Sequence, residues 1–334
     1  MLFRSRSLSS DPSPLDEGQV WYNNTSYAFK LAAVTTTGTW AAGGSLNTTR
    51  RSAGSFGIQT NAVAGAGLDP GNNISNVTEK YNGTSWTSNP TSYNTSRYLL
   101  GTAGTATSGL SFGGFAGPGG GTAASTASES WNGSAWTNTP SLNTARYNIG
   151  GAGASSTSAL AMGGVNPPTV YSSVESYNGS AWTNLPTSLP AVKHAGGSAG
   201  IQTSALYFGG STTIGPADPG INNTTASYNG SSWTSGGNLN TSRSNLGGAG
   251  ATNSSAVAFG GYSGPPSLSA TETYNGTSWT NNPTGLSTAR YNVGAAGTQT
   301  LALCVGGYNG SANTGVTEAW TGPGNPTTKT ITTS

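Results

Sequence analysis

Tyr81-Asn82-Gly83-Thr84-Ser85-Trp86-Thr87 returns, with small changes, along most of the chain. The next copy is Trp131-Asn132-Gly133-Ser134-Ala135-Trp136-Thr137, and later copies close on Trp182, Trp233 and Trp279. The closing tryptophans stand 50, 46, 51 and 46 positions apart. A near-constant period of this size marks a repeat architecture in which every copy is one supersecondary unit.

Residues 141–182 show what one unit contains. Arg146 opens the run Tyr147-Asn148-Ile149-Gly150-Gly151-Ala152-Gly153, and a polar turn follows at 155–158. Ala159-Leu160-Ala161-Met162 ends in Gly163-Gly164; after a variable stretch come Val174-Glu175-Ser176-Tyr177, Asn178-Gly179 and Ala181-Trp182-Thr183. These are four short strands bounded by turn residues, with no helical periodicity. Asn-Gly predicts a type I′ hairpin, in which both turn residues have positive φ. The paired glycines suit a crowded place where a strand leaves the sheet near an axis. Ala- and Gly-rich first and second strands then lie inside and the Trp-bearing fourth outside, the radial arrangement of a β-propeller.

The double glycine recurs at Gly113-Gly114, Gly163-Gly164, Gly209-Gly210, Gly260-Gly261 and Gly306-Gly307, with Gly65-Ala66 as an imperfect copy. Paired glycines, then an aromatic residue, then Trp some five residues on resemble the kelch repeat, over roughly residues 35–320. The resemblance implies a fold and leaves function open, because propellers host many activities. Trp40-Ala41-Ala42-Gly43-Gly44-Ser45-Leu46-Asn47-Thr48-Thr49-Arg50 matches Trp233 to Arg243 almost position for position, yet no strands precede it. The last unit, conversely, runs out after Glu318-Ala319-Trp320. The expectation is an all-β, six-bladed β-propeller of four-stranded kelch-like blades, its last blade closed by an N-terminal strand. Residues 1–34 form an extension with a short hairpin, 35–322 the propeller and 323–334 a C-terminal tail.

Only 7% of the 334 residues are charged and the net charge is +2. Dispersed basic residues argue against nucleic-acid binding. No stretch approaches the ~20 apolar residues of a membrane span, and no apolar core follows Met1-Leu2-Phe3-Arg4 to make a secretory signal. Glu79, Glu129, Glu175, Glu272 and Glu318 share one slot of the repeat; Arg50, Arg97, Arg146, Arg243 and Arg290 share another. The fourth unit departs from both, with Lys193 and Ala226. Joint loss predicts that the slots are partners in partly buried ion pairs. With one histidine (His194), one cysteine (Cys304, in an apolar run) and few other acids, neither metal ligation nor a catalytic carboxylate pair is expected. No cofactor is expected either.

The loops between second and third strands, 116–128, 165–173, 211–225, 262–271 and 308–317, differ in length and sequence, whereas the Asn-Gly turns hardly change. Variable loops on one face of a rigid scaffold resemble a binding surface, with candidates Asp69, Phe115, Tyr171, Asp218, Tyr262 and Tyr308; the alternative is tolerated drift in unconstrained loops. Asp69-Pro70-Gly71 and Asp218-Pro219-Gly220 read first as turns, with a cation site as the alternative. Finally, Gly18-Gln19-Val20-Trp21-Tyr22-Asn23-Asn24-Thr25 ahead of Gly/Thr/Ser/Asn-rich repeats resembles virion and tail-fibre-like proteins of marine and cyanobacterial phages. That resemblance implies a non-enzymatic virion protein made in the host cytoplasm, held to other virion proteins by its N-terminal segment and displaying its loops for host-surface or capsid/tail contacts, a host-surface glycan being one such partner. The alternative is a carbohydrate-binding or carbohydrate-active bacterial propeller.

Overall fold

The computed structural model describes residues 6–12, 19–34, 37–117, 123–215, 219–324 and 326–331. Runs of three to seven residues between Gly, Asn and Pro are too short for helices, and no helix occurs among the described residues. The described residues are all-β, and the sheets of the repeats are consistent with a propeller-like fold. The chain divides into two compact units, residues 1–39 with 321–334, and Trp40–Trp320.

In the larger unit each repeat becomes one four-stranded sheet with neighbouring strands in chain order. Sheet one is Gly54–Ile58, Asn61–Gly65, Thr78–Tyr81 and Trp86–Ser88; sheet two is Gly101–Thr105, Ser108–Phe112, Ser128–Trp131 and Trp136–Thr139. Sheet three is Gly150–Ser155, Ser158–Met162, Val174–Tyr177 and Trp182–Asn184; sheet four is Gly197–Ile201, Ser204–Phe208, Thr225–Tyr228 and Trp233–Gly236. Sheet five is Gly247–Thr252, Ser255–Phe259, Thr271–Tyr274 and Trp279–Asn282. Sheet six takes Gly294–Gly297, Leu301–Val305 and Thr317–Thr321 from the end of the repeats and Thr39–Ala42 from their beginning. First strands of successive sheets touch, and that of sheet six touches that of sheet one.

The close approach explains the Ala/Gly composition. A Cβ on Gly151, in the first strand of sheet three, would lie 2.2 Å from the Thr102 carbonyl oxygen of sheet two, nearer than real Cβ contacts come. The outer side is filled by aromatics. Each fourth-strand Trp packs on the last aromatic of the third strand, as in Tyr81–Trp86 (5.0 Å between centroids), Trp131–Trp136 (5.3 Å) and Tyr274–Trp279 (5.0 Å). Trp320–Trp40, at 5.3 Å, repeats this contact with partners from opposite ends of the repeat region. The indole N–H then reaches the preceding sheet: Trp86 donates to Thr317 (2.8 Å), Trp136 to Thr78 (2.9 Å), Trp279 to Thr225 (2.9 Å) and Trp40 to Thr271 (2.8 Å). Sheets two and three carry Ser128 and Val174 at this Thr position, and the indole N–H groups of Trp182 and Trp233 find no partner among the described residues.

The Asn-Gly turns differ from the type I′ expectation. Tyr81 pairs with Trp86, leaving a four-residue loop. Gly83 has φ 94°, while Asn82 is not left-handed. Its side chain supplies the reason: Asn82 Oδ1 accepts from Thr84 N (2.9 Å) and Ser85 N (2.8 Å), an Asx turn that closes the loop without a second positive φ.

The smaller unit is a sheet of Arg6–Leu8, Val20–Asn23, Ala28–Val34 and Pro326–Thr330, in that order. Val20–Asn23 and Ala28–Val34 form a hairpin whose turn is held by Asn23 Oδ1, accepting from Thr25 N and Ser26 N. Trp21 is fully buried, and it and Asn23 both donate to Asp11. Residues 323–334, set apart in the sequence as a tail, contribute the strand Pro326–Thr330, antiparallel to Ala28–Val34.

Because Trp40 makes the same two contacts as its sister residues, Trp40→Ala and Trp86→Ala should destabilise alike, by about 3 kcal/mol each, in urea denaturation. A near-neutral Trp40→Ala beside a damaging Trp86→Ala would show that Trp40 does not secure sheet six.

Candidate functional site

Burial of the repeat's charges decides what is left for chemistry. Arg97 meets Glu129 at 3.0 Å, Arg146 meets Glu175 at 3.0 Å and Arg290 meets Glu318 at 2.8 Å; Arg50–Glu79 and Arg243–Glu272 pair in the same way. All ten side chains are buried. Each carboxylate also takes backbone N–H groups of the loop entering its sheet: Glu79 accepts from Asn47 N (2.7 Å) and Thr48 N (3.1 Å), and Glu175 from Asn143 N (2.7 Å). The guanidinium groups of Arg50, Arg97, Arg146 and Arg243 bind carbonyls as well, Arg146 Nη1 donating to Gly163 O and Ser173 O, each at 3.0 Å. Burial pulls the Arg50, Arg97, Arg146 and Arg243 guanidinium groups down from their ordinary value, and the paired glutamate opposes it. These glutamates are engaged in holding the fold.

Sheet four shows what happens without the pair. Lys193 Nζ keeps the two carbonyl contacts, to Gly209 O (3.2 Å) and Thr224 O (2.7 Å), but has no second arm for a carboxylate. Pro190 stands where other loops carry the Asn or Ser that donates its N–H to the glutamate, and proline has no N–H to give. Ala226 replaces that glutamate, and the buried Tyr207 ring fills the space, its centroid 5.8 Å from Lys193 Nζ. Burial pushes the Lys193 ammonium down to about 8, from 10.5.

At the inner end of the sheets lies a feature that the repeat pattern did not show. Ser52, Leu99, Asn148, Ala195, Asn245 and Asn292, each two residues after the Arg/Lys slot, all adopt left-handed φ between 53° and 55°. Their backbones bond head to tail. Leu99 N donates to Ser52 O (3.1 Å), Asn148 N to Leu99 O (2.8 Å), Ala195 N to Asn148 O (3.0 Å) and Asn245 N to Ala195 O (2.6 Å). Asn292 N then donates to Asn245 O (2.9 Å) and Ser52 N to Asn292 O (2.8 Å), returning to the start. These residues line a cavity of about 100 Å³. A larger cavity, about 220 Å³, runs between the Gly- and Ala-rich first strands.

The residues just after the Arg/Lys slot bridge to the residues just after the paired glycines, as Tyr98 to Phe115, Ser244 to Tyr262 and Tyr291 to Tyr308. The result is two aromatic arcs. Phe115 packs against Tyr98 (5.3 Å) and Tyr147 (5.2 Å); Tyr291 packs against Tyr262 (5.2 Å) and Tyr308 (5.5 Å), with Arg51 4.9 Å above the Tyr308 ring. Of the loop-face candidates, Phe115, Tyr262 and Tyr308 therefore join these arcs, Phe115 as a buried member and the two tyrosines half-buried. Tyr171 is half-buried and serves its loop through the backbone, its carbonyl accepting from Lys193 N. Asp69 closes its own turn by accepting from Asn73 N (2.8 Å) and Nδ2 (2.9 Å), bonds that hold its carboxyl below the usual range. Asp218 lies outside the described residues. Tyr98, Tyr147, Tyr291 and Arg51 were missed, although aligning the residue after each Arg exposes them.

His194 is buried, with Nε2 2.7 Å from Thr213 O, and burial raises the pKa of the Cys304 thiol. Among the described residues no group of three or more His, Cys, Asp or Glu side chains is placed to hold a metal ion. No helix of the described residues is long and apolar enough to cross a membrane. No protein-family model and no curated protein matches the chain.

Burial of Lys193 makes the stability of the fold depend on pH. The lysine's folded pKa, about 8, lies below the 10.5 of the unfolded chain, so between those values the unfolded state binds more protons and stability rises with pH. The unfolding free energy of the wild type should therefore gain on that of Lys193→Met from pH 8 to 10.5, by up to about 1.4 kcal/mol per unit. Parallel pH curves for the two proteins would refute it.

Proposed function

We propose that residues 39–321 form a six-bladed β-propeller and that the protein is a non-enzymatic binding component of a phage virion. The propeller reading is supported by six repeat-derived sheets whose first strands touch in a cycle and by the head-to-tail backbone hydrogen bonds. The observation that carries the binding role is the coincidence, on one face, of the variable loops, the tyrosine arcs and the cavity mouth. Half-exposed aromatic rings on a rigid frame give contact area at low entropic cost. The glutamates are committed to arginine and backbone partners, so the chemistry offered is recognition.

Placement in a virion rests on the resemblance of the Gly18–Thr25 stretch and the repeat style to phage structural proteins, with the smaller unit as the attachment to other virion proteins. The loop face then meets the host surface, a glycan being the expected partner. A carbohydrate-binding bacterial propeller remains the second reading, favoured by the same tyrosine arcs. Particle analysis separates the two: particles should carry the full chain but not a chain lacking residues 1–34, and incorporation of the truncated chain would overturn the anchoring role.

Within Trp40–Trp320 the described charged side chains that are not buried are Arg51, Asp69 and Lys80. Attachment through such a surface should change less than about twofold between low salt and about 0.5 M salt, since little charge is available to screen. A steep loss of cell binding with salt, in a pull-down of the isolated protein, would contradict the assigned face.

A further inference from the structure

The six left-handed residues at the cavity mouth retain side chains where glycine would be free of strain. Elsewhere in the repeat the left-handed positions are mostly glycine, as at Gly163 and Gly164. At the mouth none is, and Leu99 and Ala195 hold the conformation without even the local hydrogen bonding that eases it for asparagine. A strained position that keeps its side chain points to work done by that side chain. The backbone cannot be the recognising element, because the N–H and C=O groups of these residues bond to one another.

The mouth is uncharged. Asn148, Asn245, Asn292 and Ser52 supply amide and hydroxyl groups, and the Asn148 and Asn292 amides make no hydrogen bond to another described residue. Leu100, Ile149, Leu246 and Val293 supply apolar wall between them. Neutral donors and acceptors alternating with aliphatic surface match a ligand that is itself neutral, with hydroxyls on its edge and C–H groups on its faces. We propose that this mouth binds one sugar residue of an uncharged oligosaccharide, with the asparagine amides bonding its hydroxyls. The proposal rests on the loop face being a binding face and is independent of placement in a virion.

The test exploits the left-handed geometry, since Asn→Gly removes the amide while favouring the same φ. Wild type and the Asn148→Gly/Asn245→Gly/Asn292→Gly variant are titrated calorimetrically with maltohexaose, cellohexaose, chitohexaose and mannohexaose. At least one should bind the wild type, and the variant should lose about tenfold or more in affinity at unchanged Tm; single Asn148→Gly and Asn292→Gly variants decide the matter if the triple change lowers Tm. Equal affinity in the glycine variants would overturn the site. Absence of binding to all four sugars would overturn the ligand class, and if the wild type still attaches to host cells, the attachment reading survives that failure.

Discussion

A buried arginine tied in two directions is the constraint on which the larger unit depends. The Arg50 carbonyl accepts from Gly307 N of the preceding sheet at 3.0 Å, while its guanidinium pairs with Glu79 and donates to Val77 O (2.8 Å) in its own sheet. The same double attachment recurs at Arg97, Arg146 and Arg243, whereas the Arg290 guanidinium pairs with Glu318 and donates to Cys304 Sγ in place of a carbonyl. A guanidinium withdrawn from water without a carboxylate is strongly destabilising, and so is a carboxylate without its donors. Each Arg therefore demands its Glu, and each Glu demands the loop N–H groups that complete its coordination. Sheet order, loop path and charge burial follow from one bracket.

Sheet four confirms the logic by abandoning it as a set. Replacing a loop donor by Pro190 removes the N–H, and Ala226 removes the acceptor that needed it. Lys193 then satisfies only the two carbonyls, and Tyr207 takes up the vacated volume. Any one of these changes alone would leave a buried polar group unpaired. Together they leave one ammonium without a countercharge.

Much of this was legible because tryptophan and glycine are used at positions where few alternatives fit. The match of residues 40–50 with 233–243 identifies the strand that joins Thr317–Thr321, because only a fourth strand carries Trp followed by the Leu-Asn-Thr bend. The Asx turns were misread as type I′, since Asn-Gly is compatible with both and loop length decides between them. The left-handed ring was not legible at all: only Asn148, Asn245 and Asn292 advertise the conformation, whereas Ser52, Leu99 and Ala195 are held in it by neighbouring sheets. Tyr98, Tyr147 and Tyr291 follow Arg97, Arg146 and Arg290 inside a regular slot of the repeat, whereas Arg51 and Ser244 follow the other two arginines, so no constant aromatic marks the position. Pro326–Thr330 lacks the apolar alternation of a strand and pairs through its backbone.

Constancy and variation thus divide between the ends of each sheet. The Asn-Gly turns and the Trp contacts maintain the frame, and the opposite ends gather the loops, the aromatic arcs and the uncharged mouth. Amide hydrogen exchange of the six left-handed residues tests most directly whether the cycle of sheets is closed. Closure predicts that Ser52 and Asn292 amides exchange as slowly as those of Leu99, Asn148, Ala195 and Asn245. Rapid exchange at Ser52 alone, with the other five protected, would mean that the cycle is open between sheets six and one.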